Sequence, residues 1–175
     1  TTIALELYKE LAANPANIPI IHNNYLDLLI RTNKLKEARK YLDKTCRRFP
    51  VNVYYQVDAG LVENLRGDVA AAERIFERLI NDVTFDQFRL NTLSQYFVMK
   101  QMPEYALRAY KQSRLAHKTD ALHAMEIANI HQIMGNKDLM LDEYIAYLGT
   151  NPRNINYIKN LLQNILTEED DLALI

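Results

Sequence analysis

Small residues return on a fixed beat in this chain. Ala38, Ala72 and Ala106 lie 34 residues apart. Four positions beyond each stand Leu42, Phe76 and Tyr110, and Tyr144 continues that row. Run backwards, the same phase meets Ala4 and Tyr8. Asn33, Gly67, Gln101 and Gly135 form a third row, and Pro50 and Pro152 lie three periods apart in a fourth. Rows that keep one phase without an insertion mark stacked copies of one short unit, because a single copy is too small to bury its apolar face alone.

Each row has a physical reason. A small residue is needed where two helices of a hairpin cross, since a large one would push the backbones apart. The bulky residue four positions on lies one turn along the same face and fills the space beside the crossing. Gly67, Gly135 and Asn33 suit the positive φ that ends a helix. Pro50 and Pro152 cannot continue a helix interior and so mark repeat boundaries.

The intervening segments carry apolar stripes of period 3.6 rather than 2, as in Tyr25, Leu26, Leu29 and Ile30, or Ile158, Leu161, Leu162 and Ile165. The predicted layout is one all-α domain over residues 1–175. It has a lone helix at 2–12, helix pairs at 18–48, 53–81, 87–117 and 121–148, and a further repeat opening at 155–175. Thr167 and Asp170 read as the cap of one more helix, with Glu168 and Glu169 suited to its positive end. Both ends fall on half-repeats, which predicts further chain on at least the C-terminal side and self-association through uncapped ends.

Composition agrees with helices and narrows the chemistry. Hydrophobic residues make up 49% and charged residues 25% of 175, with only 4 Gly and 5 Pro to supply turns. A net charge of −1 and a pI near 6.4 disfavour a strong grip on nucleic acid, which needs a basic surface. Cys46 is the single cysteine, so neither an internal disulfide nor a cysteine metal site is expected. No apolar run reaches membrane-span length and no signal-peptide pattern appears. A soluble chain is expected, cytoplasmic or, after loss of a leader, periplasmic.

These rows resemble the tetratricopeptide repeat (TPR) family. The second repeat carries the resemblance best, with Ala59–Gly60, Gly67–Asp68, Ala72 and Phe76. The likeness runs over nearly the whole chain. His22, Gln56, Leu90 and Ala124 depart from the family's bulky first-helix anchor, and Met140 replaces the small residue of the last pair, leaving room for a splayed hairpin. The RNA-binding pentatricopeptide repeats are usually one residue longer per unit, against the uniform 34 here. The resemblance implies a right-handed superhelical solenoid, a scaffold for peptides or partner domains, and a parent that is a longer bacterial protein of this kind.

In the family's register, the first helices point one face into a concave groove. The expected groove residues are Asn23, Asp27, Val57, Leu61, Asn91, Gln95, Met125, Asn129, Lys159 and Gln163, with Asn64 and Gln132 one turn further along. Amides dominate this set. Each offers two donors and an acceptor, which matches the N–H and C=O groups of an extended peptide. The expected partner is a largely uncharged extended peptide, the alternative being hydration or capping of a helix face. A clamp for a C-terminal carboxylate is not expected, since Lys159 and Arg31 are its only candidates and sit at opposite ends.

Other features yield to simpler readings. Lys34, Lys36, Arg39, Lys40, Lys44, Arg47 and Arg48 outnumber Glu37 and Asp43 on one helix, either as a solvated face or as a docking patch for an acidic partner or RNA backbone. His22, His117, His123 and His131 form no metal pattern. Among 11 tyrosines, Tyr8, Tyr110 and Tyr144 belong to the repeat core, while Tyr54 is a candidate for the groove mouth. No nucleophile with a base and an orienting group is legible, and no phosphate loop. The sequence thus predicts a protein-binding scaffold without cofactor, metal or small-molecule substrate. The alternatives are a spacer within a longer solenoid and an RNA-binding repeat.

Overall fold

A computed structural model of the chain describes residues 2–165; Thr167, Asp170 and the acidic run 168–171 lie outside them. Among the described residues the chain is all-α, without a strand. Its helices are α1 (Thr2–Leu11), α2 (Ile18–Arg31), α3 (Leu35–Arg48), α4 (Val53–Leu65), α5 (Val69–Val83), α6 (Gln87–Met99), α7 (Pro103–His117), α8 (Ala124–Ile133), α9 (Lys137–Thr150) and α10 (Ile155–Ile165). Short 3-10 turns at Pro15–Asn17 and Pro152–Asn154 lead into α2 and α10. Proline fits these first-turn positions because the N–H it lacks would have no partner there.

Side chains fix several helix starts. Asn52 accepts from the backbone N–H of Tyr54 at 3.0 Å, Asp68 from Ala71 at 2.9 Å and Asp86 from Arg89 at 3.0 Å. The helix expected from residue 121 begins instead at Ala124, because Ala121–His123 form a turn and His123 takes a φ of +60°.

All four hairpin turns are left-handed, with φ of 57° at Asn33, 86° at Gly67, 60° at Gln101 and 75° at Gly135. The crossing row is shut away from solvent at Ala38, Ala72, Ala106 and Met140, as is the row four residues on at Leu42, Phe76, Tyr110 and Tyr144. At the α4–α5 crossing a Cβ added to Gly60 would run into the Phe76 ring.

The chain forms two compact units, Thr1–Leu79 and Ile80–Ile175. In the first, Leu5, Tyr25, Leu26, Leu29, Leu42 and Val62 gather around Ala38 and Ala59. In the second, Met140 packs with Ala128, Tyr144, Ile158 and Leu162. The small Ala128 opposite leaves space that the flexible thioether fills.

Candidate functional site

Within the second unit the first helices α8 and α10 flank a hollow of about 540 Å³. From α8 it takes Met125, Asn129 and Gln132; from α10 it takes Tyr157, Asn160, Leu161, Asn164 and Ile165; Tyr144 of α9 closes the base. Met125, Leu161 and Ile165 also pack on the core beneath, so the floor is apolar. Asn129, Gln132, Asn160 and Asn164 are exposed on its walls. Among the described residues these four amides make no side-chain hydrogen bonds, so their donors and acceptors face water. Such a surface can exchange water for the polar groups of a peptide backbone, and its floor can take apolar side chains.

The expected groove residues divide. Met125 and Asn129 line this hollow. Lys159 and Gln163 are exposed but lie outside it, and Asn160 and Asn164 take that place on α10. The 34-residue rows mark the same face on every helix. A hollow between two neighbouring helices is walled by opposite faces of them, so carrying the Met125 and Asn129 row onto α10 selects its far side.

The remaining positions differ in availability. Gln95 and Asn23 are exposed, and Leu61 is half-buried. Asp27 is exposed and pairs with Arg31 at 3.5 Å. Asn91 is half-buried, and its side-chain carbonyl accepts from the Tyr110 hydroxyl at 3.1 Å and from Gln87 Nε2 at 2.9 Å, which ties α6 to α7. Val57 is 0% exposed: it belongs to the core and not to an open face, which corrects the register reading there. In a helix as thoroughly packed as α4, where every residue from Tyr55 to Gly60 is buried, the outward face lies at Tyr54 and Asn64.

A second constellation was not legible in the sequence. In the first unit His22 is buried, and its Nε2 lies 2.9 Å from Asp58 Oδ2 while its Nδ1 lies 3.0 Å from the Tyr41 hydroxyl. The carboxylate can only accept, so Nε2 carries the proton, and in the neutral ring the Tyr41 hydroxyl donates to Nδ1. Three helices, α2, α3 and α4, are thereby joined through one polar node. Its members come from positions 22, 41 and 58, too far apart for any spacing rule to connect. The His22 ring also packs, with its centroid 4.5 Å from that of Tyr55. Burial pushes the Tyr41 hydroxyl far above its usual range.

The other titratable groups behave as packed residues. Burial lifts the Cys46 thiol to about 11, so it is not a ready nucleophile. Burial lowers the imidazole pKa of His123, with Glu126 opposing and Arg114 and His117 adding to it. It does the same for His131, helped by Lys111 and opposed by Glu143. His123 Nε2 meets the Ser113 hydroxyl at 3.1 Å. Arg114 grips Glu143 with two contacts of 2.9 and 2.6 Å and donates through Nε to the Leu122 carbonyl, linking α7 to α9. Among the described residues no group of three or more His, Cys, Asp or Glu is placed to hold a metal ion, and no helix is long and apolar enough to cross a membrane.

No family model matches the chain, and no curated protein matches it. Among solved structures, one described as the crystal structure of MamA protein is similar at 16% identity and a TM-score of 0.43. The match covers 91% of this chain and 85% of that one.

Proposed function

We propose that this chain is a polypeptide-binding module of the tetratricopeptide kind, one continuous repeat domain whose first helices carry the binding face. The observation behind it is the α8–α10 hollow, where four amides with uncommitted donors and acceptors stand over an apolar floor. An extended, largely uncharged peptide fits that chemistry. Its N–H and C=O groups pair with Asn129, Gln132, Asn160 and Asn164, and its apolar side chains rest on Met125 and Leu161. Gln95, Lys159 and Gln163 are also exposed on the same unit. A binding role is also favoured over catalysis by burial: the His22–Asp58–Tyr41 node resembles a proton relay, but the His22 and Asp58 at its centre are 4% and 1% exposed and closed to a substrate.

The test is a quantitative pull-down with the chain beside an Asn129→Ala, Asn160→Ala, Asn164→Ala variant, folding being verified by circular dichroism. A partner held by the parent should drop by about tenfold or more in the variant, consistent with several lost hydrogen bonds. Equal recovery by both would remove the hollow as the binding surface. Recovery of nothing by either would favour a spacer role within a longer solenoid.

A further inference from the structure

In the first unit a second hollow, also about 540 Å³, opens between α1 and α3. Lys40, Lys44 and Arg48 stand on its α3 side and Lys9 on its α1 side. Glu37 is the one acid on its wall, and Lys34 neutralises it at 2.9 Å. Asp43 of the same helix is taken by Arg39 at 2.8 Å. Glu6 and Glu10 of α1 lie outside the wall. Among the described residues Lys9, Lys40 and Lys44 form no ion pair, and Arg48 donates only to the Ala13 carbonyl, at 3.4 Å. Four cations thus surround one concavity without a countercharge, which focuses a positive potential into it although the chain as a whole carries −1.

From this geometry we infer that the α1–α3 hollow binds an extended acidic peptide segment with carboxylates at alternate positions and small apolar residues between them. Lys40, Lys44 and Arg48 follow one another at four-residue steps, a rise of about 6 Å each along a helix. Alternate side chains of an extended peptide repeat at about 7 Å, so successive carboxylates meet successive cations. The intervening side chains then face the turn that follows α1, where Ala12 and Ala13 form the opposite wall. A single phosphate would not use cations spread over about 12 Å of helix. Single-stranded RNA shares the charge spacing but needs open aromatic faces for its bases. Tyr25 and Tyr41 at the floor are 5% and 8% exposed, and the Tyr41 hydroxyl is committed to His22. This site is independent of the amide hollow.

The experiment is fluorescence anisotropy at an ionic strength of about 0.15 M, where charges more than about 8 Å from the peptide are largely screened, with the whole chain and a labelled seven-residue peptide of alternating glutamate and alanine. Lys40→Glu/Lys44→Glu should weaken binding by at least about tenfold. Lys36→Glu/Arg47→Glu, which makes the same charge change on α3 outside the hollow, should leave affinity within about twofold. A peptide with the same glutamates in one contiguous block should bind more weakly than the alternating one. The inference is overturned if the alternating peptide does not bind, if both double variants weaken it equally, or if the blocked peptide binds as well. Tighter binding of oligouridylate, lost in Lys40→Glu/Lys44→Glu, would overturn it in favour of RNA. All four substituted positions are exposed, so circular dichroism should report unchanged helicity.

Discussion

Gln101 sits at a φ of 60°, a conformation that costs a side-chain-bearing residue about 1–2 kcal/mol. Its row-mates Asn33, Gly67 and Gly135 advertise that conformation by residue type, whereas Gln101 does not, and only the 34-residue phase pointed to it. The turn is set by the hairpin closing around it, not by the residue's own preference. Gln101→Gly should therefore raise stability. The relieved strain exceeds the extra backbone entropy of glycine, of about 0.5–1 kcal/mol, and leaves a net gain of up to about 1 kcal/mol in urea unfolding. An unchanged or lowered midpoint would show that the turn is strain-free. Val57 and Asn91 show the opposite limit of legibility. Their register was readable, but their burial and their bond to Tyr110 depend on neighbours that a single row does not name.

At the level of helices, Gly60 in mid-helix α4 is informative because two general effects oppose each other there. Glycine inside a helix is worse than alanine by roughly 0.5–1 kcal/mol, so Gly60→Ala should stabilise on propensity alone. The added Cβ meets the ring of Phe76, itself 0% exposed and unable to swing away. Overpacking of this kind costs about 1–3 kcal/mol, and the net expectation is a loss of roughly 1–2 kcal/mol. Thermal unfolding of the variant decides it, since a rise in the midpoint would mean that α4 and α5 move apart freely. Helix existence and crossing rows were legible because each repeat solves the same packing problem. The α8–α10 hollow was half legible for the same reason: a repeat predicts which face of a helix is open, but not which of its flanks a neighbour will wall in.

For the molecule as a whole, the buried imidazoles of His123 and His131 couple folding to pH. Burial lowers both below the usual 6.5, so as pH falls through that value the unfolded chain takes up protons that the folded chain refuses. Stability rises with pH wherever the unfolded state binds more protons, so it should fall on acidification. Between about pH 7.5 and 5.5, above the carboxylate range, the unfolding midpoint should drop, and His131→Leu should flatten the slope. If His131→Leu retains the whole drop, the protons are taken up elsewhere.

The ring cluster of the first unit has a different kind of consequence. Tyr8, Tyr25, Tyr41, His22 and Tyr55 follow one another at centroid separations of 5.7, 4.8, 5.6 and 4.5 Å, with Tyr25 and Tyr41 at the base of the α1–α3 hollow. The chain has no tryptophan to outshine them. Phenols held this close and in fixed, asymmetric orientation exchange excitation and rotate near-ultraviolet light together. The first unit therefore carries a built-in chromophore, and whatever enters the hollow above it alters the protein's own optical spectrum without any label being attached.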